Sequence, residues 1–243
     1  MSNLITELED CSFRYDVVKN IFLRKGEVSN YSNKLVLESV NITLKKNAIY
    51  GVLGKNGSGK STLIKLIFDV LKPSTGIIKR NFTKGKLLDT PLFFHNELNS
   101  LDNFNAIYSL ETFERLNTDN FEKKLAVFKE LCQLNNEDLY KPISNLSSGM
   151  KAKVGFALTM TFLENVDFLG LDEFFSFGDA EYKKFSTNFL KSKIKESGSA
   201  IIISHSLDVL SNSCDEIIYI DKGRVENIDK PEIIISQYTK HLK

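Results

Sequence analysis

A chain of 243 residues, 42% hydrophobic and 26% charged, holds enough apolar material for one large domain, or for a domain with a lobe inserted in it, and is not disordered by default. Its formal net charge of +1 argues neither for nor against a polyanionic partner; a domain that coats nucleic acid usually shows a stronger basic bias, and no nucleic acid is expected as a partner. The cysteines Cys11, Cys132 and Cys214 are odd in number, far apart and without metal-ligand spacing, and read as reduced thiols of a cytosolic protein. No apolar run approaches the roughly 20 residues that span a bilayer, and the acidic start MSNLITELED has no signal-peptide pattern. A role at a membrane would come through a partner.

Residues 3–13 and 35–45 alternate as strands do. Between them, residues 16–34 form an insertion that opens with Val17, Val18, Ile21 and Phe22 at helical spacing, either a surface hairpin with one helical turn or a docking element. AIYGVLG (48–54) is an apolar run ending in a glycine-rich turn. Leu63, Ile64, Leu66, Ile67, Val70 and Leu71 then mark a helix that stops by Pro73. From Leu98 to Leu139 the pattern is helical and polar, with Leu125, Phe128, Leu131 and Cys132 on one face. VDFLGL (166–171), SAIIIS (199–204) and EIIYI (216–220) are near-continuous apolar strands, and 179–196 is a helix. Such strands separated by helices indicate an α/β fold whose mixed, largely parallel sheet is covered on both faces.

Gly54-Lys55-Asn56-Gly57-Ser58-Gly59-Lys60-Ser61-Thr62 matches G-x-x-x-x-G-K-[ST] in the strand–loop–helix context that a phosphate loop requires. Glycines at 54, 57 and 59 let successive N–H groups turn inward around phosphate oxygens, and the following helix adds its positive end. Lys60 supplies a point charge for the β- and γ-phosphates, and the Ser61 hydroxyl ligates Mg²⁺. Asp172 ends a buried strand, where it can hold a metal-bound water. Glu173 follows, placed to polarise a water attacking the γ-phosphate. Leu146-Ser147-Ser148-Gly149-Met150 opens a helix (151–162), with both serines at N-cap positions. His205 follows a strand, where a γ-phosphate sensor would stand.

These residues together resemble the ATP-binding cassette (ABC) ATPases, and the resemblance covers nearly the whole chain. Gly54–Thr62 resembles the Walker A loop, and Phe168–Asp172 the Walker B strand with Glu173 as catalytic glutamate. Leu146–Met150 resembles the signature motif, Phe177-Gly178-Asp179 the D-loop and His205 the switch histidine. Tyr15 stands where the family stacks an aromatic on adenine, with Phe13 and Tyr31 as the other choices. The usual glutamine after the third strand is replaced by His95, with Asn96 adjacent; Ser148 replaces a signature glycine and Met150 the usual glutamine. The stretches 93–103, 146–158, 172–185 and 203–225 resemble the branch that exports capsular polysaccharide, O-antigen or teichoic acid across the bacterial inner membrane, and the chain's end at Lys243 favours its short, capsule-type members.

The resemblance implies a P-loop core with N-terminal antiparallel strands (1–95 and 163–243) and an inserted helical subdomain (96–162). It implies ATP and Mg²⁺ as cofactors, with Ser61, Asp172 and His95 at the metal and Glu173, His205 and Lys60 in catalysis. Tyr15, Gly54, Lys55, Asn56, Gly57, Ser58, Gly59, Lys60, Ser61, Thr62, Ser147, Ser148, Gly149 and Asp179 would contact nucleotide. The implied partners are a second copy packed head to tail, an integral membrane permease at the cytoplasmic face, and a polysaccharide or glycolipid reached through it. Other ABC transporter subunits, whether importers or lipid and drug exporters, are the alternative. A soluble ABC ATPase acting on ribosomes or nucleic acid comes third.

Overall fold

The computed structural model describes residues 3–18, 31–89, 95–114, 116, 118–174 and 179–241. In chain order its strands and helices are β1 (Leu4–Val18), β2 (Tyr31–Lys45), β3 (Ile49–Leu53), α1 (Lys60–Ile67), β4 (Thr75–Arg80), β5 (Gly85–Leu88), α2 (Ser100–Thr112), α3 (Asp119–Cys132), α4 (Asn136–Leu139), α5 (Ser148–Thr161), β6 (Phe168–Asp172), α6 (Ala180–Ser197), β7 (Ala200–Ile203), α7 (Leu207–Ser213), β8 (Glu216–Asp221), β9 (Arg224–Asp229) and α8 (Pro231–His241). They fall into two compact units, Met1–Leu87 with Asp167–Glu173 and Ser197–Lys243, and Leu88–Val166 with Phe174–Glu196.

In the first unit, six strands run in the order β5-β6-β7-β3-β8-β9. β6 pairs β7, β7 pairs β3 and β3 pairs β8 in parallel, while β8 and β9 are antiparallel. This is the mixed, largely parallel sheet that the apolar runs predict. β7 is buried at all four positions, as a strand covered on both faces must be. A second, antiparallel sheet has the order β2-β1-β4. Its inner residues Ile5, Leu8, Leu37, Val40, Ile42 and Leu44 join Leu63, Ile64, Leu66 and Ile67 of α1 in one core, together with Val52, Ile201, Ile203 and Ile218 of the parallel strands.

Parallel strands share a direction, so their carboxyl ends reach one edge of the sheet, where open α/β sheets take their ligands. At that edge β3 leads into Gly54, β6 ends on Asp172, β7 is followed by Ser204 and His205, and β8 ends at Asp221. Residues 120 positions apart in the chain meet there for this reason alone.

The second unit is helical. Phe104 of α2 stacks on Phe128 of α3 with centroids 5.1 Å apart, and Phe121 and Phe162 lie within 5.7 Å of Phe104. Thr118 caps α3 by accepting a hydrogen bond from Phe121 N. The apolar face of α3 is Phe121, Phe128, Leu131 and Cys132. Leu125, expected on that face, is half-buried, and the aliphatic stem of Lys124 takes the buried place instead. Its ammonium reaches Glu164 Oε1 at 2.8 Å, which lets the stem stay inside.

Several expectations are corrected. Val17 and Val18 do not open a helix: β1 continues through them, paired with Ser32 and Tyr31, so cross-strand pairing overrides local helical spacing. Ile21 and Phe22 lie outside the described residues. α1 stops at Ile67, before Val70 and Leu71, with Phe68 as C-cap and Asp69 in the left-handed region. Ser148 is the first residue of α5 and not a cap; Ser147 alone caps it. Residues 180–196, placed by sequence with the core, belong to the helical unit, because Tyr182 of α6 is buried there and donates to Leu131 O at 2.7 Å. Among the described residues no helix is long and apolar enough to cross a membrane.

The thiols bear on reactivity. Burial pushes Cys132 and Cys214 up to about 12 and also raises Cys11. The thiolate is the nucleophile, so Ellman's reagent at pH 8 should label the native protein slowly and all three cysteines quickly after denaturation. Fast labelling of any one in the native state would contradict this packing.

Candidate nucleotide site

The loop between β3 and α1 is built by close approach. A methyl group added at Gly54 would overlap the Ile220 carbonyl oxygen and come within 2.6 Å of Ser58 Oγ. Gly59, at φ 108, caps α1 in the left-handed region, and a methyl there would come within 2.7 Å of Leu37 Cδ2. The loop is pinned from outside by Gly223 N, which donates to Ser58 O at 3.0 Å.

Lys60 is only 8% exposed. Its Nζ donates to Gly54 O at 2.9 Å and to Lys55 O at 3.0 Å, which folds the side chain back across the loop. Burial lowers its pKa, opposed by the carboxylates of Glu173 and Asp172. Among the described residues Ser58 Oγ is buried without a hydrogen-bond partner. A buried hydroxyl left so in a glycine-rich loop is the kind of group that a polar ligand would satisfy.

Across the sheet edge, His205 Nε2 stands 2.7 Å from Glu173 Oε1, with both side chains more than half exposed. Glu173 has φ 58, a conformation that costs a side-chain-bearing residue about 1–2 kcal/mol and is commonest at functional positions. Its own N–H donates to Ile203 O at 3.0 Å, which ties this turn to β7.

A cavity of about 510 Å³ adjoins the loop. Asn56, Gly57, Gly59, Lys60, Ser61, Thr62 and Glu173 line one part of it, and Tyr15, Lys34, Leu35, Val36 and Lys222 the rest. Of the candidate aromatics, Tyr15 lines this cavity and is 40% exposed. Phe13 is 7% exposed and belongs to the core, with its ring edge-on to that of Tyr15 at 4.7 Å. The side chain of Tyr31 lies outside the described residues.

The other expected residues lie in the helical unit. Ser147 caps α5 through Oγ, which accepts from Met150 N at 3.3 Å, and both Ser147 and Ser148 are exposed. A methyl at Gly149 would meet nothing within 4 Å. Asp179 caps α6 through Tyr182 N at 2.9 Å and pairs with Lys153 at 3.2 Å. The Tyr182 amide first, and Lys153 second, lower its pKa. Phe177 and Gly178 lie outside the described residues. His95 is exposed, and its backbone is clasped by Asn103 through bonds of 2.7 Å and 3.1 Å.

Lys34, Lys222, Gly223 and Lys153 were not singled out in the sequence. The Asp-Lys-Gly-Arg run between two apolar stretches is a turn signal, but the partner of that turn is not written in it.

The chain matches the profile of the ABC transporter family over residues 37–176. It therefore belongs to that family. It is an ABC-type ATPase. The chain is 33% identical to the ATP-binding protein BexA of Haemophilus influenzae, over 83% of this chain and 90% of BexA. It is also 33% identical to the capsule polysaccharide export ATP-binding protein CtrD of Neisseria meningitidis, over 81% of this chain and 88% of CtrD. The fold is similar to that of the dimeric ATP-binding cassette MJ0796 bound to ADP and Pi, with a TM-score of 0.68 at 19% identity over 93% of this chain and 98% of that one.

Two glycine substitutions separate crowding from backbone strain in this ATPase. Gly54→Ala should abolish nucleotide binding and lower stability by about 1–3 kcal/mol, because backbone must shift. Gly57 has φ 78 but open space around a methyl, so Gly57→Ala should cost only the left-handed penalty of about 1–2 kcal/mol. Thermal melts with and without nucleotide measure both; equal losses would contradict this geometry.

Proposed function

We propose that this ATPase is the subunit that energises export of a polysaccharide, of the capsule, O-antigen or teichoic acid type, from the cytoplasmic face of the inner membrane through an integral membrane permease. The observation that carries this reading is the 33% identity to CtrD across most of both chains. It is strengthened by a site whose parts suit triphosphate chemistry.

In this reading the loop from Gly54 to Thr62 holds the phosphates, with Lys55, Asn56 and Gly57 supplying amides and Ser58 its orphan hydroxyl. Lys60 leaves its two carbonyl partners for the β- and γ-phosphates, and the shielded ammonium stabilises charge that grows in the transition state. Tyr15 takes the adenine. Ser61 and Asp172 would hold Mg²⁺ through oxygen, the donor type it prefers, and His95 is the further candidate at that metal. When bound there, the metal would supply charge neutralisation at the transferred phosphoryl group. Glu173 takes a proton from the attacking water as general base, and His205, with Nε2 2.7 Å from that carboxylate, orients it and senses the γ-phosphate.

The exposed cap of α5 has no role in binding within one chain under this scheme. Two copies would pack head to tail, with Ser147, Ser148 and Gly149 of one capping the γ-phosphate held by Lys60 of the other, and Asp179 near the same junction. Hydrolysis then removes the bridge between copies, and their separation is the movement passed to the permease.

Glu173→Gln should bind ATP as the wild type does and lose at least about a hundredfold in turnover, the scale of a removed general base. Near wild-type turnover would remove Glu173 from that role. Ser147→Arg should bind nucleotide normally and hydrolyse none, and hydrolysis by that variant would contradict the two-copy site. The transport reading is tested by disrupting the gene and measuring surface polysaccharide. Export should fail and be restored by the wild-type gene but not by Glu173→Gln; unchanged polysaccharide would send the chain to a different ABC transporter.

A further inference from the structure

The nucleotide cavity is lined by more cations than the phosphate loop supplies. Lys222 stands in the turn between β8 and β9, and it lines this cavity from an element 160 residues beyond the loop. It also lines a second cavity of about 460 Å³ on the other flank of the loop, beside Lys55, Asn56, Gly57 and Ser58. One lysine therefore borders both sides of the same phosphate-binding segment.

Three features fix it there. Its φ of 46 places a side-chain-bearing residue in the left-handed region, where turns prefer Gly, Asn or Asp. The next residue is held twice, since Gly223 N donates to Ser58 O at 3.0 Å and Gly223 O accepts from Glu38 N at 2.9 Å. Arg224 then closes the clasp with a forked pair to Glu38, Nε to Oε2 at 3.1 Å and Nη2 to Oε1 at 3.0 Å. The turn is therefore anchored on both β2 and the loop, which holds the Lys222 backbone beside the cavity.

The charge balance of the cavity points the same way. Among the described residues its lining contributes Lys34, Lys60 and Lys222 against the single carboxylate of Glu173, which itself lies 2.7 Å from His205. Among the described residues the ammonium groups of Lys34 and Lys222 have no hydrogen bond or ion pair. Lys72, Lys79, Lys141 and Lys193, by contrast, each pair with nearby carboxylates. Asp221, the acid beside Lys222 in sequence, lines the second cavity and not this one. A space of 510 Å³ is roughly 10 Å across, about one Debye length at 0.1 M salt, so an ammonium on its wall acts on phosphates through most of it at low salt.

We propose that Lys222 is a further nucleotide-binding residue of this ATPase, a cation delivered by the β8–β9 turn that favours di- and triphosphate over monophosphate. This rests on the reading of the cavity as the nucleotide site. It makes the clasp more than a structural support, because the same turn that pins the loop also carries charge to its ligand.

The test is titration calorimetry with ADP and with AMP, neither of which is turned over, on the wild type, Lys222→Asn and Lys222→Arg. Asn accepts the left-handed conformation, so the turn should persist, and an unchanged thermal melt checks it. Lys222→Asn should weaken ADP binding about threefold to fivefold at low salt, the range for a partly exposed charge contact. AMP should be affected clearly less, the ADP defect should shrink at high salt, and Lys222→Arg should bind ADP as the wild type does. Wild-type ADP affinity in Lys222→Asn would overturn the proposal and leave the nucleotide site intact. An equal, salt-independent loss for ADP and AMP would also overturn it, marking Lys222 as a turn element only. Failure of the wild type to bind ADP at all would overturn the reading on which it rests.

Discussion

The phosphate loop has no freedom of its own. Gly54 lies against the carbonyl of Ile220, Gly59 against Leu37 and the carbonyl of Val36, and Ser58 is held by the amide of Gly223. β2 on one side and the end of β8 with its turn on the other therefore form a mould for the loop. Side chains at 54 or 59 would have to displace backbone or core to fit. Binding a polyanion with backbone amides requires that those amides already converge, since ordering them at the moment of binding would cost about 1–2 kcal/mol per residue. The mould carries that cost once, on folding, with the apolar core under α1 and the sheet as its source.

The same preorganisation governs the charges. Lys60 is buried, which disfavours its charged form, and Glu173 and Asp172 act in the opposite sense. These acids sit at the end of β6, two strands from β3 across the parallel sheet, so the balance depends on register and not on any local sequence signal. Glu173 is held in turn by His205 and by its amide bond to β7, in a backbone conformation it would not choose. The strain of its φ is offset by the β6–β7 pairing on which the turn rests.

Much of this was legible in the sequence, and unevenly. The parallel strands announced themselves because burial on both faces leaves no polar positions, and the phosphate loop because three glycines with Lys60 and Ser61 admit few other uses. Tyr15 was one of three candidates until burial separated it from Phe13. Val17 and Val18 misled because two β-branched residues fit a strand as well as a helical turn, and the pairing that decides lies across a hairpin. β4, β5, β9 and α8 went unannounced: β4 is exposed at four of its six positions, so it lacks the clean alternation that marks a strand with one buried face. Lys222 was invisible for a different reason. Its part depends on what Gly223 touches, and no spacing rule relates residue 223 to residue 58.

The helical unit shows how two motifs far apart in the chain become one mechanical piece. Lys153, on α5 just after the exposed cap of Ser147, pairs with Asp179 at 3.2 Å and lies 5.0 Å over the ring of Tyr182. Tyr182 is anchored through its hydroxyl to the carbonyl of Leu131 at the end of α3, and its amide is bound by Asp179. The surface ion pair alone would hold little, since Asp179 is well exposed and water screens it. The buried aromatic holds more: Tyr182 is 1% exposed and packs edge-on to Phe156 of α5 at 5.9 Å, and an aromatic buried so fully removes a large apolar area from water. The cap of α5 and the start of α6 are therefore joined chiefly through Tyr182, with Lys153 setting the direction of Asp179. Tyr182 thus ties the start of α6 to both α3 and α5 within this unit.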